Sequence, residues 1–189
     1  MFYLVRHGLT DYHAQNICQG QEQNPINKIG IKQSNDLADK IGGLKFDHFF
    51  SSDLLRAMQT ADIVNKRLKM KIKYDSRLRE RHTGIFAAKS KDNIPIEMQK
   101  DSIENAHKYG GENYEDVYRR CLSFYEEMNF QKINNALVIA HGGSIKMLIY
   151  IATGNQWCKE KYNMFLASLK PILFTDVFEI DFKVRCVKS

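Results

Sequence analysis

The sequence predicts an α/β fold, a three-layer sandwich in which helices cover both faces of a mostly parallel sheet. Short apolar runs alternate along the chain with segments whose apolar residues repeat at helical spacing. Two of these runs end abruptly in a histidine and a glycine, which is typical of strands that end at the ligand-binding edge of an open sheet. With 189 residues and 43% hydrophobic content, the chain has enough apolar material for one buried core. We therefore expect a single domain over residues 1–189.

Strands are predicted where β-branched, aliphatic or aromatic residues run together between turns. The first is the clearest, because four apolar residues from Phe2 onward stop abruptly at Arg6. Two polar segments without periodicity, Asp11–Gln23 and Arg77–Gly84, are predicted to be loops near the strand ends. The predicted strands are, in chain order, Phe2–Val5, Phe46–Phe50, Lys71–Tyr74, Ala136–Ala140, Phe165–Ser168 and Asp176–Phe182.

Helices are predicted where apolar residues recur every three or four positions. Asn27 is a predicted N-cap for the first helix, which Gly42-Gly43 ends. Ser51-Ser52-Asp53 is a predicted capping start for the second helix, whose apolar stripe runs over Leu54–Leu68. Three further helices are predicted between Pro95 and His107, over Tyr114–Met128 and over Ile145–Ala152.

Composition narrows the class of protein. Lysine and arginine outnumber aspartate and glutamate by 28 to 22, and the resulting positive field attracts anionic ligands. We interpret the densest basic run, Lys66–Lys73, as a solvated helix end and edge strand, not as a nucleic-acid patch. No apolar run approaches the ~18–20 residues of a membrane helix, and the first apolar stretch lacks the features of a signal peptide. The four cysteines have no paired spacing. We therefore expect a cytoplasmic protein without membrane or nucleic-acid partners.

Two histidines follow predicted strands and are the first candidates for chemistry. His7 lies in Arg6-His7-Gly8 after the first strand, and His141 begins His141-Gly142-Gly143 after Ala136–Ala140. Because parallel strands end at the same edge of a sheet, both histidines are expected to face one site. For either histidine alone, a hydrogen-bonded structural role at the strand end is an equal alternative.

Arg56 lies in the first turn of the helix predicted to begin after Phe46–Phe50. The N-terminus of a helix attracts anions, and an arginine there can add a bidentate donor. Position alone does not distinguish such a role from that of an ordinary surface arginine.

Four segments, in order along the chain, resemble the motifs of the histidine phosphatase superfamily, the phosphoglycerate mutase-like proteins. Leu4–Thr10 resembles its opening motif, and Phe50–Ala61 its second motif, which carries a phosphate-binding arginine. Leu78–Gly84 is similar to the segment with the acid/base glutamate, and Val138–Gly143 to that with the second catalytic histidine. The resemblance implies the phosphoglycerate mutase-like fold and a phosphatase that needs neither metal nor cofactor.

The resemblance also implies a role for each matching residue. His7 would attack phosphorus and carry the phosphoryl group covalently, while Arg6, Arg56 and His141 would hold the phosphate oxygens. Glu80 would protonate the leaving group and then activate water. The substrate would be a small phosphorylated metabolite, and the oligomeric state stays open.

Three further residues are expected to contact the phosphate. Thr10 would add a hydroxyl donor, and Gly142 would lie at the phosphate after His141. His13 stands where the family often has asparagine, so its ring would face the phosphate oxygens. A second departure is Ala87-Ala88, where the family often has glutamate and glycine.

The same residues also allow interpretations other than a phosphatase. His7, His82 and His141 would suit a metal, but Arg6 would repel a cation and no HxH or HExxH spacing occurs. The two departures leave room for a catalytically weak relative that binds phosphorylated partners, and a protein phosphohistidine phosphatase is a further alternative.

The span between the glutamate segment and the following glycine turn bears on the reaction type. Mutases of this family usually carry a long insertion there, whereas only about thirty residues separate Glu80 from Gly111 in this chain. The short span favours a hydrolase.

Overall fold

The computed structural model describes residues 1–180, and along them strands and helices alternate. The strands are β1 (Phe2–Arg6), β2 (His48–Ser51), β3 (Ile72–Tyr74), β4 (Ala136–Ala140) and β5 (Val177–Ile180). The α-helices are α1 (Asp11–Ala14), α2 (Lys28–Ile41), α3 (Leu55–Leu68), α4 (Ile96–Glu104), α5 (Tyr114–Phe130), α6 (Gly142–Ala152) and α7 (Lys159–Ser168). Short 3-10 turns cover Ser76–Leu78, Gly84–Phe86, Lys91–Asn93 and Ala106–Tyr109.

The strands form one mostly parallel sheet in the order β3-β2-β4-β1-β5. Neighbours are parallel except for β5, which runs antiparallel to β1. Arg6 at the end of β1 lies opposite Ala140 at the end of β4. The residues that follow them, His7 and His141, therefore leave the sheet side by side.

Helices cover both faces of the sheet. Successive strand residues point to opposite sides, so the apolar strands present side chains to be buried on each face. On one face Val138 of β4 belongs to an apolar cluster with Phe124 of α5. On the other face its neighbour Ile139 belongs to a cluster with Leu37 of α2 and Val64 of α3. The predicted three-layer α/β/α sandwich is confirmed. Among the helices of residues 1–180, none is both long and apolar enough to cross a membrane.

The predicted helix start at Asn27 is confirmed, since the Asn27 side chain accepts a hydrogen bond from the Gly30 N–H at 2.9 Å. The basic run Lys66–Lys73 covers the end of α3 and the beginning of β3. Because β3 lies at one edge of the sheet, the interpretation of this run as a helix end and edge strand is also confirmed.

The prediction of a strand over Phe165–Ser168 is wrong, since these residues form the last turn of α7. Tyr162 and Phe165 lie three residues apart on one face of the helix. Their rings contact that of Tyr150, with centroids 5.1 Å and 5.3 Å away. Burial of this aromatic face stabilises a helix that its weak sequence periodicity did not reveal.

Smaller corrections concern element ends. The predicted loop Asp11–Gln23 contains α1. The segment Ser51-Ser52-Asp53 does not cap α3: the N-cap is Leu54, and the Asp53 carboxylate pairs with Arg79 at 2.6 Å. The last predicted strand, Asp176–Phe182, is present as β5, and residues 181 and 182 lie outside the described part of the chain.

Candidate active site

The two strand-end histidines form the centre of the site. The His7 N–H donates to the Ala140 carbonyl at 3.0 Å, which continues the β1–β4 ladder by one residue. The rings of His7 and His141 have centroids 5.0 Å apart, and the two residues are 2% and 0% exposed. The fold thus brings together two imidazoles that are far apart in sequence.

The hydrogen bonds of His7 fix its tautomer. Its Nδ1 lies 2.7 Å from the Gly8 carbonyl oxygen, which can only accept, so Nδ1 carries the proton. The lone pair therefore lies on Nε2. Burial, followed by the charges of Arg56 and Arg6, holds the pKa of His7 well below its usual value. His7 is a neutral imidazole with a nucleophilic nitrogen directed toward a cation.

That cation is Arg56, in the first turn of α3. Its Nε lies 3.3 Å from His7 Nε2, and its other donors bind neutral oxygens of the Gly20–Asn24 loop. Nη1 donates to the Glu22 carbonyl at 2.9 Å and to Asn24 Oδ1 at 3.0 Å, and Nη2 to the Gly20 carbonyl at 2.8 Å. Burial lowers the Arg56 pKa to about 10, so the buried side chain keeps its charge at neutral pH.

Arg6 supplies a second cation. Its Nη1 donates to the Ile172 carbonyl at 2.6 Å, and its guanidinium carbon lies 3.9 Å from the centroid of the Phe174 ring. Its Nε is buried and has no hydrogen-bond partner in the described part of the chain. Within residues 1–180 neither Arg6 nor Arg56 forms an ion pair with a carboxylate. A buried and a partly buried cation, neither of them in an ion pair within the described residues, lie near a neutral imidazole and make a site for an anion.

The tautomer of His141 is set by Ser52. The Leu54 N–H donates to Ser52 Oγ at 3.3 Å, so this hydroxyl is free to direct its own proton to His141 Nε2, which lies 2.8 Å away. The ring proton of His141 then lies on Nδ1, a buried atom with no partner among the described residues. Burial and the charge of Arg56 hold the pKa of His141 well below its usual value. His141 is thus a neutral imidazole with an unused N–H donor.

Glu80 is held at the same site by two backbone donors. Its Oε1 accepts from the Arg81 N–H at 2.9 Å and its Oε2 from the Gly143 N–H at 3.1 Å. A Cβ on Gly143 would lie 2.2 Å from Glu80 Oε1, so a glycine is required for this close approach. The bond from Gly143 ties the glutamate segment to the first turn of α6.

Most of these groups line a cavity of about 270 Å³, which we call the catalytic cavity; the fully buried His141 lies next to His7 but is not among the lining residues. The candidate residues that line it are Arg6, His7, His13, Arg56 and Glu80. Their chemistry combines two imidazole rings, two cations and a carboxylate, which are the kinds of group that phosphoryl transfer requires.

Comparison with known proteins identifies the family of the chain. The sequence profile of the histidine phosphatase superfamily (branch 1) matches residues 2–177. The chain belongs to the histidine phosphatase superfamily.

The names of individual relatives of this histidine phosphatase refer to different substrates. It is 37% identical over 131 residues to the fructose-2,6-bisphosphatase TIGAR of Xenopus tropicalis, a match that covers 65% of this chain and 47% of the relative. The matched segment thus spans about half of the frog protein. A mycobacterial glucosyl-3-phosphoglycerate phosphatase in complex with VO3 has a similar structure, with a TM-score of 0.78 at 24% identity. That likeness covers 93% of this chain and 88% of the other, and it concerns the fold.

A phosphoserine phosphatase from Entamoeba histolytica, solved with phosphoserine, also shares the fold of this histidine phosphatase. The TM-score is 0.75 at 20% identity, and the match covers 93% of this chain and 87% of that one.

Three candidate positions of this histidine phosphatase call for separate comment. The Thr10 hydroxyl caps α1 by accepting from the His13 N–H and donates to Gln19 Oε1 at 2.8 Å, and its contact with phosphate stays a prediction. His13 lines the catalytic cavity, and its ring meets the Phe174 ring edge-on at 4.6 Å. Burial and the charge of Arg6 lower its pKa. Gly142 begins α6 beside the site, and its phosphate contact stays a prediction.

The sequence did not single out Ser52, Asn24 or Phe174 as site residues. Ser52 lies inside the second motif and directly follows β2, so its position at a strand end next to β4 was a usable signal. Asn24 and Phe174 lie in connecting segments, where no periodicity marks the residues that will meet the site. His82, considered as a metal ligand, accepts a hydrogen bond from the Gly84 N–H and does not line the catalytic cavity.

Proposed function

We propose that this histidine phosphatase hydrolyses phosphomonoesters of small metabolites through a covalent phosphohistidine at His7 Nε2. The observation that carries the proposal is the neutral His7 ring, whose unprotonated nitrogen lies beside the buried Arg56, with the partly buried Arg6 as a second nearby charge. A substrate phosphate supplies the negative charge that these arginines lack. The names of the relatives, which include a sugar bisphosphatase, support a small phosphorylated substrate.

The first step forms a bond from His7 Nε2 to phosphorus and breaks the bond from phosphorus to the ester oxygen. Arg6, Arg56 and the Nδ1–H of His141 contact the non-bridging oxygens and stabilise the charge that develops there. Glu80, in its acid form, gives its proton to the departing alkoxide. The ring proton on His7 Nδ1 stays bound to the Gly8 carbonyl throughout, which keeps Nε2 as the reacting nitrogen.

In the second step a water molecule attacks the phosphohistidine. Glu80, now a carboxylate, takes a proton from this water, the P–N bond breaks, and inorganic phosphate leaves. His7 returns to its neutral form and Glu80 to its acid form, so the cycle closes without metal or cofactor. We place this reaction in the cytoplasm, because Cys18, Cys121 and Cys158 are free thiols, as is usual in a reducing compartment.

The test is hydrolysis of an aryl phosphate with and without a chelator, in the wild type and in His7→Ala. Loss of the nucleophile should lower kcat by at least about 10³-fold. His48→Ala is the matched control, since this histidine lies on β2 outside the catalytic cavity and its loss should leave kcat within about twofold. Full activity of His7→Ala, or loss of wild-type activity with the chelator, would contradict the mechanism.

The same preparation separates hydrolysis from the alternatives. With a phosphoglycerate as substrate, phosphate release should outrun formation of the isomer, whereas the reverse order would identify a mutase. Tight binding of phosphate esters without turnover would indicate a protein that only binds them.

A further inference from the structure

The segment that carries Glu80 has no regular secondary structure. Residues 79–83 lie between two 3-10 turns and belong to no helix or strand. Helix or strand hydrogen bonds therefore do not fix the main chain of Glu80, although its carboxylate meets the Gly143 N–H at 3.1 Å. Side chains from elsewhere in the molecule hold the backbone groups of this segment instead.

Arg120 on α5 binds two carbonyls of this region. Its Nη1 donates to the carbonyls of Arg77 and Arg79, both at 2.7 Å. The second of these carbonyls belongs to the residue directly before Glu80. The other donors of Arg120 bind Glu112, with Nε 2.9 Å from Oε1 and Nη2 3.2 Å from Oε2. This bidentate carboxylate fixes the orientation of the guanidinium that binds the backbone.

Glu112 binds the segment on the other side of Glu80. Its Oε2 accepts from the His82 N–H at 2.8 Å, and its own N–H donates to the His82 carbonyl at 2.9 Å. Gln21 connects the two glutamates, since its Nε2 donates to the Glu80 carbonyl at 3.1 Å and to Glu112 Oε2 at 3.3 Å. We call Gln21, Glu112 and Arg120 the clamp. The clamp thus binds backbone groups before, at and after Glu80.

The clamp lies outside the catalytic cavity. None of its three residues lines that cavity, and the side chains of Glu112 and Arg120 are only 22% and 15% exposed. The charges of this pair are directed at each other and at the backbone, not at the space where a substrate would lie. Such residues affect the reaction through the residue that they hold, which is Glu80.

We propose that the three clamp residues are positioning residues for the acid/base carboxyl of Glu80. The inference rests on the proposed function, in which Glu80 gives a proton to the leaving oxygen. That transfer needs a hydrogen-bond distance of ~2.6–3.2 Å, and a misplacement of about 1 Å can lower a rate roughly 10²-fold. The slot for the carboxyl is narrow, because a Cβ on Gly143 would lie 2.2 Å from Glu80 Oε1.

The test compares two leaving groups in the wild type and in Arg120→Met. An alkyl phosphate needs a proton on its leaving oxygen, whereas an activated aryl phosphate leaves readily without one. Loss of the guanidinium should therefore lower kcat/KM at least about tenfold for the alkyl phosphate and leave that for the aryl phosphate within about threefold. The inhibition constant of inorganic phosphate, which reports the anion site alone, should stay within about twofold.

Two further variants share the prediction of a selective loss. Glu112→Gln keeps the shape of the side chain and removes its charge, so it should act in the same direction as Arg120→Met. Gln21→Leu removes neutral hydrogen bonds made from a loop, and it should show the same selective loss at about threefold. Should Arg120→Met fail to fold, Gln21→Leu provides the same comparison.

The matched control is Arg119→Met. Arg119 precedes Arg120 on α5 and pairs with Glu115 at the surface, where these two side chains are 71% and 45% exposed. Its substitution removes the same kind of side chain from the same helix and should leave kcat/KM for both substrates within about twofold.

A double variant separates positioning from a general loss of structure. In Glu80→Gln no acid is left to position, so adding Arg120→Met should lower kcat/KM for the alkyl phosphate by no more than about twofold further. The inference would be overturned by equal losses for both leaving groups in Arg120→Met, or by the full loss repeated in the Glu80→Gln background. No loss in either Arg120→Met or Gln21→Leu would overturn it as well. Hydrolysis of the aryl phosphate that depends on His7 would show in each case that the proposed function itself stands.

Discussion

The two buried histidines should make the folded state sensitive to mild acid. In the unfolded chain, His7 and His141 each take up a proton with a pKa of about 6.5. In the folded protein, burial and the nearby arginines hold both pKa values well below that value, so both rings stay neutral. The unfolded state therefore binds more protons below pH 6.5. Stability that is fully present above this pH is lost as the pH falls.

The size of the effect follows from linkage. One group that is neutral in the folded state and has an unfolded pKa of about 6.5 lowers the free energy of unfolding by about 1.4 kcal/mol at pH 5.5. The two histidines together lower it by at most about 2.8 kcal/mol, the limit in which neither ring takes up a proton in the folded state. That loss is a large part of the ~5–15 kcal/mol that holds an ordinary domain together.

Urea unfolding between pH 7.5 and pH 5.5 measures this loss, in the wild type and in His7→Gln and His141→Gln. Each variant lacks one titrating ring, so between these pH values it should lose about 1.4 kcal/mol less than the wild type. Carboxylates titrate in all three proteins, and their contribution cancels in the difference. The assignment of neutral, buried rings would be refuted if the free energy of unfolding of both variants fell with pH by the same amount as that of the wild type.

Two further predictions concern residues that handle protons. Glu80→Gln should lower the rate roughly 10²–10⁴-fold for an alkyl phosphate and much less for an activated aryl phosphate, and an equal loss for both would point to binding. Ser52→Ala should lower kcat about tenfold with little change in KM and alter the pH profile, because nothing then selects the Nδ1–H tautomer of His141; Ser52→Thr should restore activity. A fall in stability without these kinetic changes would make Ser52 merely structural.

Much of the fold could be predicted because, in most segments, the apolar residues of the sequence pattern are the ones that are buried in the folded protein. β4 is apolar throughout since both of its faces are buried, and α5 carries one apolar stripe because only one of its faces packs on the sheet. The strand prediction for the segment around Phe165 was wrong for a physical reason. Two aromatic residues three positions apart are too few to mark a helix in the sequence, and the contacts of their rings with Tyr150 on α6 stabilise the helix in the folded protein.

The site was partly predictable for a similar reason. Residues at strand ends and helix starts, such as His7, His141 and Arg56, are placed by the topology of a parallel sheet, which the sequence pattern implies. Thr10 could not be judged in this way, since the direction of its hydroxyl depends on Gln19 and on the cap of α1. Side-chain contacts made by connecting segments depend on how the whole chain folds, so the sequence pattern does not predict them.

The strand order has a consequence for synthesis. β1 precedes the other strands of residues 1–180, yet it lies between β4 and β5, which are the last two strands of that part of the chain. While the ribosome produces the intervening helices, the backbone groups and apolar side chains of β1 have no partner strand. Such an exposed segment is open to wrong pairing with other chains until β4 emerges. The nascent protein should therefore rely on chaperones most strongly before β4 has been made, while His7 after β1 still lacks its neighbour His141.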